Sequence, residues 1–129
     1  MKYKTYFVSG HLDLTREEFD EHYVPRIDKA IENGASFVVG DASGTDYIAQ
    51  DYLWTQCKLN EMSYKSVTVY HMLVKPRNHI FKFVTVGGFK SDKERDEAMT
   101  NASDEDIAWV RPGREKSGTA KNLKRRENK

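Results

Sequence analysis

Three short stretches place a glycine where an apolar run gives way to a polar, helix-opening segment: Ser9-Gly10-His11, Gly40-Asp41-Ala42-Ser43-Gly44 and Ser117-Gly118-Thr119. Glycine has no Cβ, so its backbone can approach an oxyanion closely, and a helix start offers free N–H groups at a positive dipole end. Side chains suited to the same chemistry lie nearby. His11 belongs to the first loop, Asp46 follows the second, and Arg111 and Arg114 precede the third. A guanidinium clamps phosphate through parallel N–H groups, and a histidine exchanges protons near neutral pH. The pattern points to a phosphate-bearing ligand held by backbone and a few polar side chains.

Each of these residues also has a structural reading. Ser43 and Ser117 suit helix caps. Asp46 suits the first turn of a helix, where the dipole favours a carboxylate. Arg111 and Arg114 suit a solvated loop, and His11 suits a hydrogen-bonding role without catalysis. The common signatures are missing: no GxGxxG, no GxxxxGK[ST], no HExxH, no CxxC and no GxSxG occurs. His11, His22, His71 and His79 share no metal-ligand spacing, and Cys57 is the single cysteine, which excludes an intrachain disulfide and a cysteine-built zinc site. No metal is expected.

The elements that must position these loops alternate between strand and helix. Tyr6-Phe7-Val8 reads as a buried first strand. Thr15 caps a helix with Glu18 as capping-box partner, Phe19, Tyr23, Ile27, Ala30 and Ile31 recur at helical spacing, and Pro25 predicts a kink or break. Ser36 to Gly40 is a second strand, followed by a helix with Ile48, Ala49, Tyr52 and Leu53 on one face. Asn60 to Lys65 is a polar connection, and Ser66 to His71 a β-branched third strand. Pro76 to Phe89 is ambiguous: Phe81, Phe83 and Val84 suit a short strand or a packed loop, and Gly87-Gly88 breaks regularity. Ser91 caps a helix running to about Thr100, with Glu94 in box position. Asp106 to Val110 is a fourth strand, and Thr119 to Arg126 a last helix. Strand–helix alternation predicts one Rossmann-like three-layer α/β/α domain over residues 1–129 with a mainly parallel sheet. Right-handed crossovers gather the three glycine loops at one sheet edge.

A length of 129 residues fits one domain, and 38% hydrophobic against 32% charged residues fits a globular chain rather than a disordered one. The net charge of +1 gives no global field for nucleic acid or membrane, and no apolar run approaches the ~20 residues a membrane span needs. A cytoplasmic protein is expected. The basic tail of Lys121, Lys124, Arg125, Arg126 and Lys129 is short, lacks interleaved aromatics and suits a solvated helix end.

The order of the loops resembles the SLOG superfamily of Rossmann-like nucleotide-binding proteins, which includes the DprA DNA-processing proteins and the Lonely Guy phosphoribohydrolases. The likeness is greatest to small stand-alone YspA-like domains, with their G-x-R-D-like start, G-G-A-R-G-A-D segment and late G-R-G-T-A segment. Here these correspond to Ser9-Gly10-His11-Leu12-Asp13, Gly40 to Asp46, and Ser117-Gly118-Thr119-Ala120, and the likeness runs from Tyr6 to about Asn122. It implies a nucleotide or nucleotide-derived ligand, no required cofactor, and a site lined by Gly10, Gly40, Gly44, Gly118 and Thr119. Asp46 takes the matching acidic position, and Arg95 matches a helix arginine near the Lonely Guy active site. Leu12 replaces the first-loop arginine of YspA-like domains. Asn122 stands where the Lonely Guy motif P-G-G-x-G-T-x-x-E ends in a glutamate, and an amide cannot serve as a base. Two readings stay open: a domain that binds or senses a nucleotide derivative, and an enzyme acting at a nucleotide N-glycosidic bond through Asp46 and Arg95. DNA binding is not expected, and homo-oligomerisation is left open.

Overall fold

The computed structural model describes residues 3–59, 62–80 and 82–128. Five parallel strands form one sheet in the order β4-β3-β2-β1-β5: β1 (Thr5–Val8), β2 (Ser36–Gly40), β3 (Val67–Met72), β4 (Val84–Phe89) and β5 (Glu105–Ile107). Helices α1 (Arg16–His22), α2 (Val24–Glu32) and α3 (Thr45–Leu59) precede β3, while α4 (Asp92–Asn101) and α5 (Gly118–Glu127) follow β4. The architecture is the Rossmann-like three-layer arrangement that the alternation predicts. No helix among the described residues is long and apolar enough to cross a membrane.

Strand alternation divides the core. Val8, Phe37, Val39, Val67 and Val69 face the layer carrying Phe19, Tyr23, Ile27 and Leu53. Phe7 and Val38 face Met99 of α4, with Tyr70 at the margin. Thr15 and Glu18 form the reciprocal capping box at α1, and Pro25 separates α1 from α2. The break sets Tyr23 at the junction. Its hydroxyl donates to Ser9 O at 2.7 Å and accepts from Trp109 N–H at 3.0 Å, so one buried group ties the ends of β1 and β5 together.

The last strand is shorter than expected, ending at Ile107 rather than Val110. Side chains take the next backbone groups: Tyr23 takes Trp109 N–H, Arg26 donates to Ala108 O at 3.2 Å, and His11 takes Arg111 N–H at 2.8 Å. Gly87 and Gly88 lie inside β4, where irregularity was expected. Gly87 is required because a Cβ there would come within 2.1 Å of the His71 ring, and the irregularity appears as a register shift between Tyr70 and Met72. Phe81, Asn60 and Lys129 lie outside the described residues.

Among the described residues, the β3–β4 crossover contains no helix. Residues 73–80, with 82 and 83 after them, form a strap whose backbone bonds partly to buried side chains and partly to backbone elsewhere in the chain. Gln50 donates to Asn78 O at 3.0 Å and accepts from Ile80 N–H at 2.9 Å, while Asn78 N–H and its amide both donate to Asp41 O. Phe83 is buried edge-on against Trp54. The strap therefore ends up beside the C-terminal ends of β2 and β3.

Tyr23→Phe keeps the ring but leaves Trp109 N–H without a partner. A loss of about 1–2 kcal/mol in urea unfolding is expected; an unchanged midpoint would show that the hydroxyl does not join the two strand ends.

Candidate functional site

The C-terminal ends of β1 and β2 and the start of α5 border a cleft of about 370 Å³, within the roughly 300–1,000 Å³ range of small-molecule sites. Phe7, Ser9 and Gly10 come from the end of β1, Ala42 from the loop after β2, Asp46 from the first turn of α3, and Arg77 from the strap. Arg95 and Asp96 come from α4, and Ser117, Gly118, Thr119 and Asn122 from α5. Gly10 is forced by packing: a Cβ would lie 2.4 Å from both Thr45 Oγ1 and Tyr23 OH. Thr45 in turn fixes the start of α3 through its hydroxyl, which donates to His11 O at 2.8 Å.

At the head of α5 the Ser117 hydroxyl accepts from Ala120 N–H at 3.2 Å, a helix cap. The N–H groups of Gly118 and Thr119 have no partner among the described residues. Gly118 has neither a positive φ nor a crowded neighbour; a Cβ there would meet nothing within 4 Å. The fold has no need of a glycine at this point, and the space it leaves opens on the cleft. Ser9 borders the same cleft at 6% exposure, and its Oγ is buried without a hydrogen-bond partner.

The opposite wall is a cluster of charges. Arg95 donates through NH1 to Asp41 at 2.8 Å and through Nε and NH2 to Asp96 at 3.2 and 3.0 Å. Arg77 closes over Asp41 with its backbone N–H at 2.7 Å and NH2 at 2.9 Å, and reaches Asp92 at 2.6 Å. Burial opposes the charge of Asp41, but the bonds from Arg77 and Arg95 hold its carboxyl below the usual range. Asp46 is less well supported. It accepts one hydrogen bond, from Ala42 N–H at 3.1 Å, and Arg95 NH2 stands 3.9 Å away. Burial first, then the negative charges of Asp96 and Asp41, push it up to about 7 against the pull of Arg95.

His11 lines the cleft, but its Nε2 accepts Arg111 N–H. The ring is therefore neutral, with its proton on Nδ1, and burial followed by the positive Arg111 and Arg114 holds its pKa below the usual histidine range. Nε2 is thus not free to act as a base.

Of the residues expected at the site, Ser9, Gly10, His11, Asp46, Arg95, Ser117, Gly118 and Thr119 line the cleft. Gly40, Asp41, Ser43, Gly44 and Arg111 do not. Gly40 and Asp41 lie behind the wall: a Cβ on Gly40 would come within 2.5 Å of Asp46 Oδ2, and Asp41 is enclosed by arginines. Gly44, at φ +71, packs on the backbone of Leu12, and Ser43 is exposed. Arg111 holds Glu18 through two bonds at 2.6 and 2.9 Å and reaches Asp13 at 3.1 Å, which draws the Glu18 carboxyl down to about 2. It braces the loop before α5 against α1. Arg114 lines the cleft but is paired with Asp13 at 2.8 Å.

Arg77, Asp92 and Asp96 are the site residues that the sequence reading missed. Asp92, Arg95, Asp96 and Met99 share one helix face by their spacing, which is a usable signal. Arg77 sits in an irregular strap and carries none. Among the described residues, no group of three or more His, Cys, Asp or Glu side chains is arranged to hold a metal ion. Comparison of the chain with protein-family models, with curated proteins and with solved structures gives no match.

A carboxyl with a folded-state pKa raised from 3.8 to about 7 makes folding more favourable while it is protonated. That contribution is complete at low pH and is lost as pH rises through about 7. Asp46→Asn removes the dependence, so the variant should gain about 2–3 kcal/mol relative to wild type between about pH 5 and pH 8. His11 pulls the other way, losing stability as pH falls below the usual histidine range, but it is common to both proteins and cancels. Urea unfolding at the two pH values reads the difference; a constant offset would show that Asp46 is not destabilised as a carboxylate.

Proposed function

We propose that this domain binds a nucleotide or nucleotide-derived phosphate ligand in the cleft, with a phosphate at the head of α5. Gly118 is the observation that carries the reading. It leaves open space beside two free N–H groups at the positive end of a ten-residue helix, where neither turn geometry nor packing calls for a glycine. The unpartnered Ser9 hydroxyl supplies a further donor. Three arginines, Arg77, Arg95 and Arg114, face four aspartates, Asp13, Asp46, Asp92 and Asp96, across the rest of the lining. Carboxylates of this kind accept hydrogen bonds from ribose hydroxyls. A ligand with one anionic end and one hydroxyl-rich end matches this division.

Asp46 favours a second reading, cleavage or transfer at a nucleotide N-glycosidic bond. Its proton is held near neutral pH at the cleft wall, as acid–base catalysis requires, and a carboxylate stabilises an oxocarbenium-like state. Asn122 adds no charge there; its Oδ1 accepts from Arg125 at 2.7 Å.

A thermal-shift screen over nucleoside mono-, di- and triphosphates, dinucleotides and ADP-ribose tests the first reading. A ligand at ~100 times its Kd adds about 2.7 kcal/mol to stability. Gly118→Val has room in the free protein and should fold, yet lose that ligand. Retained affinity in a folded Gly118→Val protein would place the ligand elsewhere. For the second reading, chromatography should detect free base, and Asp46→Asn should cut turnover about a hundredfold or more. If wild type releases no base, the chain binds without cleaving.

A further inference from the structure

This inference rests on the reading of the cleft as an oxyanion site. We propose that ligand binding is coupled to a proton on Asp46: the cleft takes an oxyanion with Asp46 neutral and donating toward it, and disfavours the oxyanion once Asp46 is ionised.

The charge cluster determines where the proton goes. Arg77 and Arg95 serve four carboxylates, Asp41, Asp46, Asp92 and Asp96. Asp41 accepts four hydrogen bonds from the two arginines. Asp92 meets Arg77 at 2.6 Å and Arg95 at 3.3 Å, and Asp96 takes the Nε–NH2 edge of Arg95. That leaves Asp46 with Ala42 N–H alone and a guanidinium nitrogen at 3.9 Å, beyond hydrogen-bonding reach. Two positive charges against four negative ones favour one retained proton, and the enclosed, least supported carboxyl keeps it. Across the same cleft, Arg114 is paired with Asp13 at 2.8 Å. Tyr23 from the α1–α2 junction is un-ionised and bonded to Ser9 O, and His11 is neutral. α5 contributes backbone N–H groups rather than a cation. The direction of the Asp46 pKa agrees, since burial raises it.

An oxyanion entering this cleft meets the N–H groups of Gly118 and Thr119 and the Ser9 hydroxyl. A neutral Asp46 adds a fourth donor; an ionised one adds repulsion. Proton and anion therefore favour one another's binding, by equal amounts in both directions.

Inorganic sulfate is the probe, because it keeps its charge over the whole range. Calorimetric Kd values for wild type should rise at least about tenfold from about pH 6 to about pH 9, approaching tenfold per pH unit above neutrality for one linked proton. Asp46→Asn should bind with little pH dependence. Asp96→Asn, which frees one edge of Arg95 for Asp46, should move the inflection to lower pH. Carbon-13 NMR of the Asp46 carboxyl in wild type should show titration near neutrality, displaced upward by sulfate. This measurement decides the matter alone if Asp46→Asn does not fold. Equal pH dependence in wild type and Asp46→Asn, or a carboxyl shift indifferent to sulfate, overturns the coupling and leaves the oxyanion site standing. Failure of sulfate and of every nucleotide to bind wild type at any pH overturns both.

Discussion

Asp41 is fully enclosed at the end of β2 and still carries its charge. Burying a carboxylate is costly unless charged and hydrogen-bonding partners surround it, and losing one partner leaves an uncompensated charge in the interior. Arg77 and Arg95 are those partners, and its backbone oxygen takes both donors of Asn78. Three parts of the chain remote in sequence, β2, the strap and α4, are thus held in one arrangement by a single side chain. The cleft wall made by Arg77, Arg95 and Asp96 exists because Asp41 stands behind it. Asp41 is not itself in the lining, so its contribution to any ligand runs through the two arginines.

The same arrangement governs the electrostatics. Guanidinium groups that would otherwise draw any anion to the cleft are already engaged with carboxylates. The remaining donors are backbone N–H groups at α5 and a hydroxyl at the end of β1, which are directional rather than long-ranged. A site of this type recognises an anion by shape and hydrogen-bond geometry, and gains less from distant electrostatic attraction than an exposed arginine pair would. Arg111 shows the cost of judging a cation by its position in the sequence. It lies in the right loop, yet Glu18 and Asp13 hold it as a brace.

Much of the fold was legible because hydrophobic period and capping chemistry act locally. Thr15 with Glu18, Ser91 before α4 and Ser117 before α5 mark helix starts by the bonds they make. Ser36 to Gly40 is apolar on both faces, as a central parallel strand must be. Errors arose where distant groups decide the outcome. β5 ends early because Tyr23, Arg26 and His11 capture its backbone, and no local pattern encodes three captures from elsewhere in the chain. At the candidate site, the glycine loops were visible because glycine is diagnostic wherever backbone approaches closely. Yet Gly40 and Gly44 accommodate Asp46 and Leu12 rather than facing the cleft, and sequence does not separate a glycine that clears protein atoms from one that clears space. Arg77 escaped because an irregular strap has no period.

Among its described residues, the β3–β4 crossover has no helix to hold its own backbone. A crossover helix would satisfy its own backbone and persist through local fluctuations. The described strap residues instead lean on groups elsewhere in the chain, among them Gln50, Asp41 and Trp54, and on the backbone of Phe89 and Gly88. Leu73, which opens the strap, adopts φ +51 with 64% of its surface exposed, a conformation disfavoured for a side chain of this size. The strap is thus tied to the rest of the domain by groups elsewhere in the chain, and its release would strip the enclosed Asp41 of Arg77.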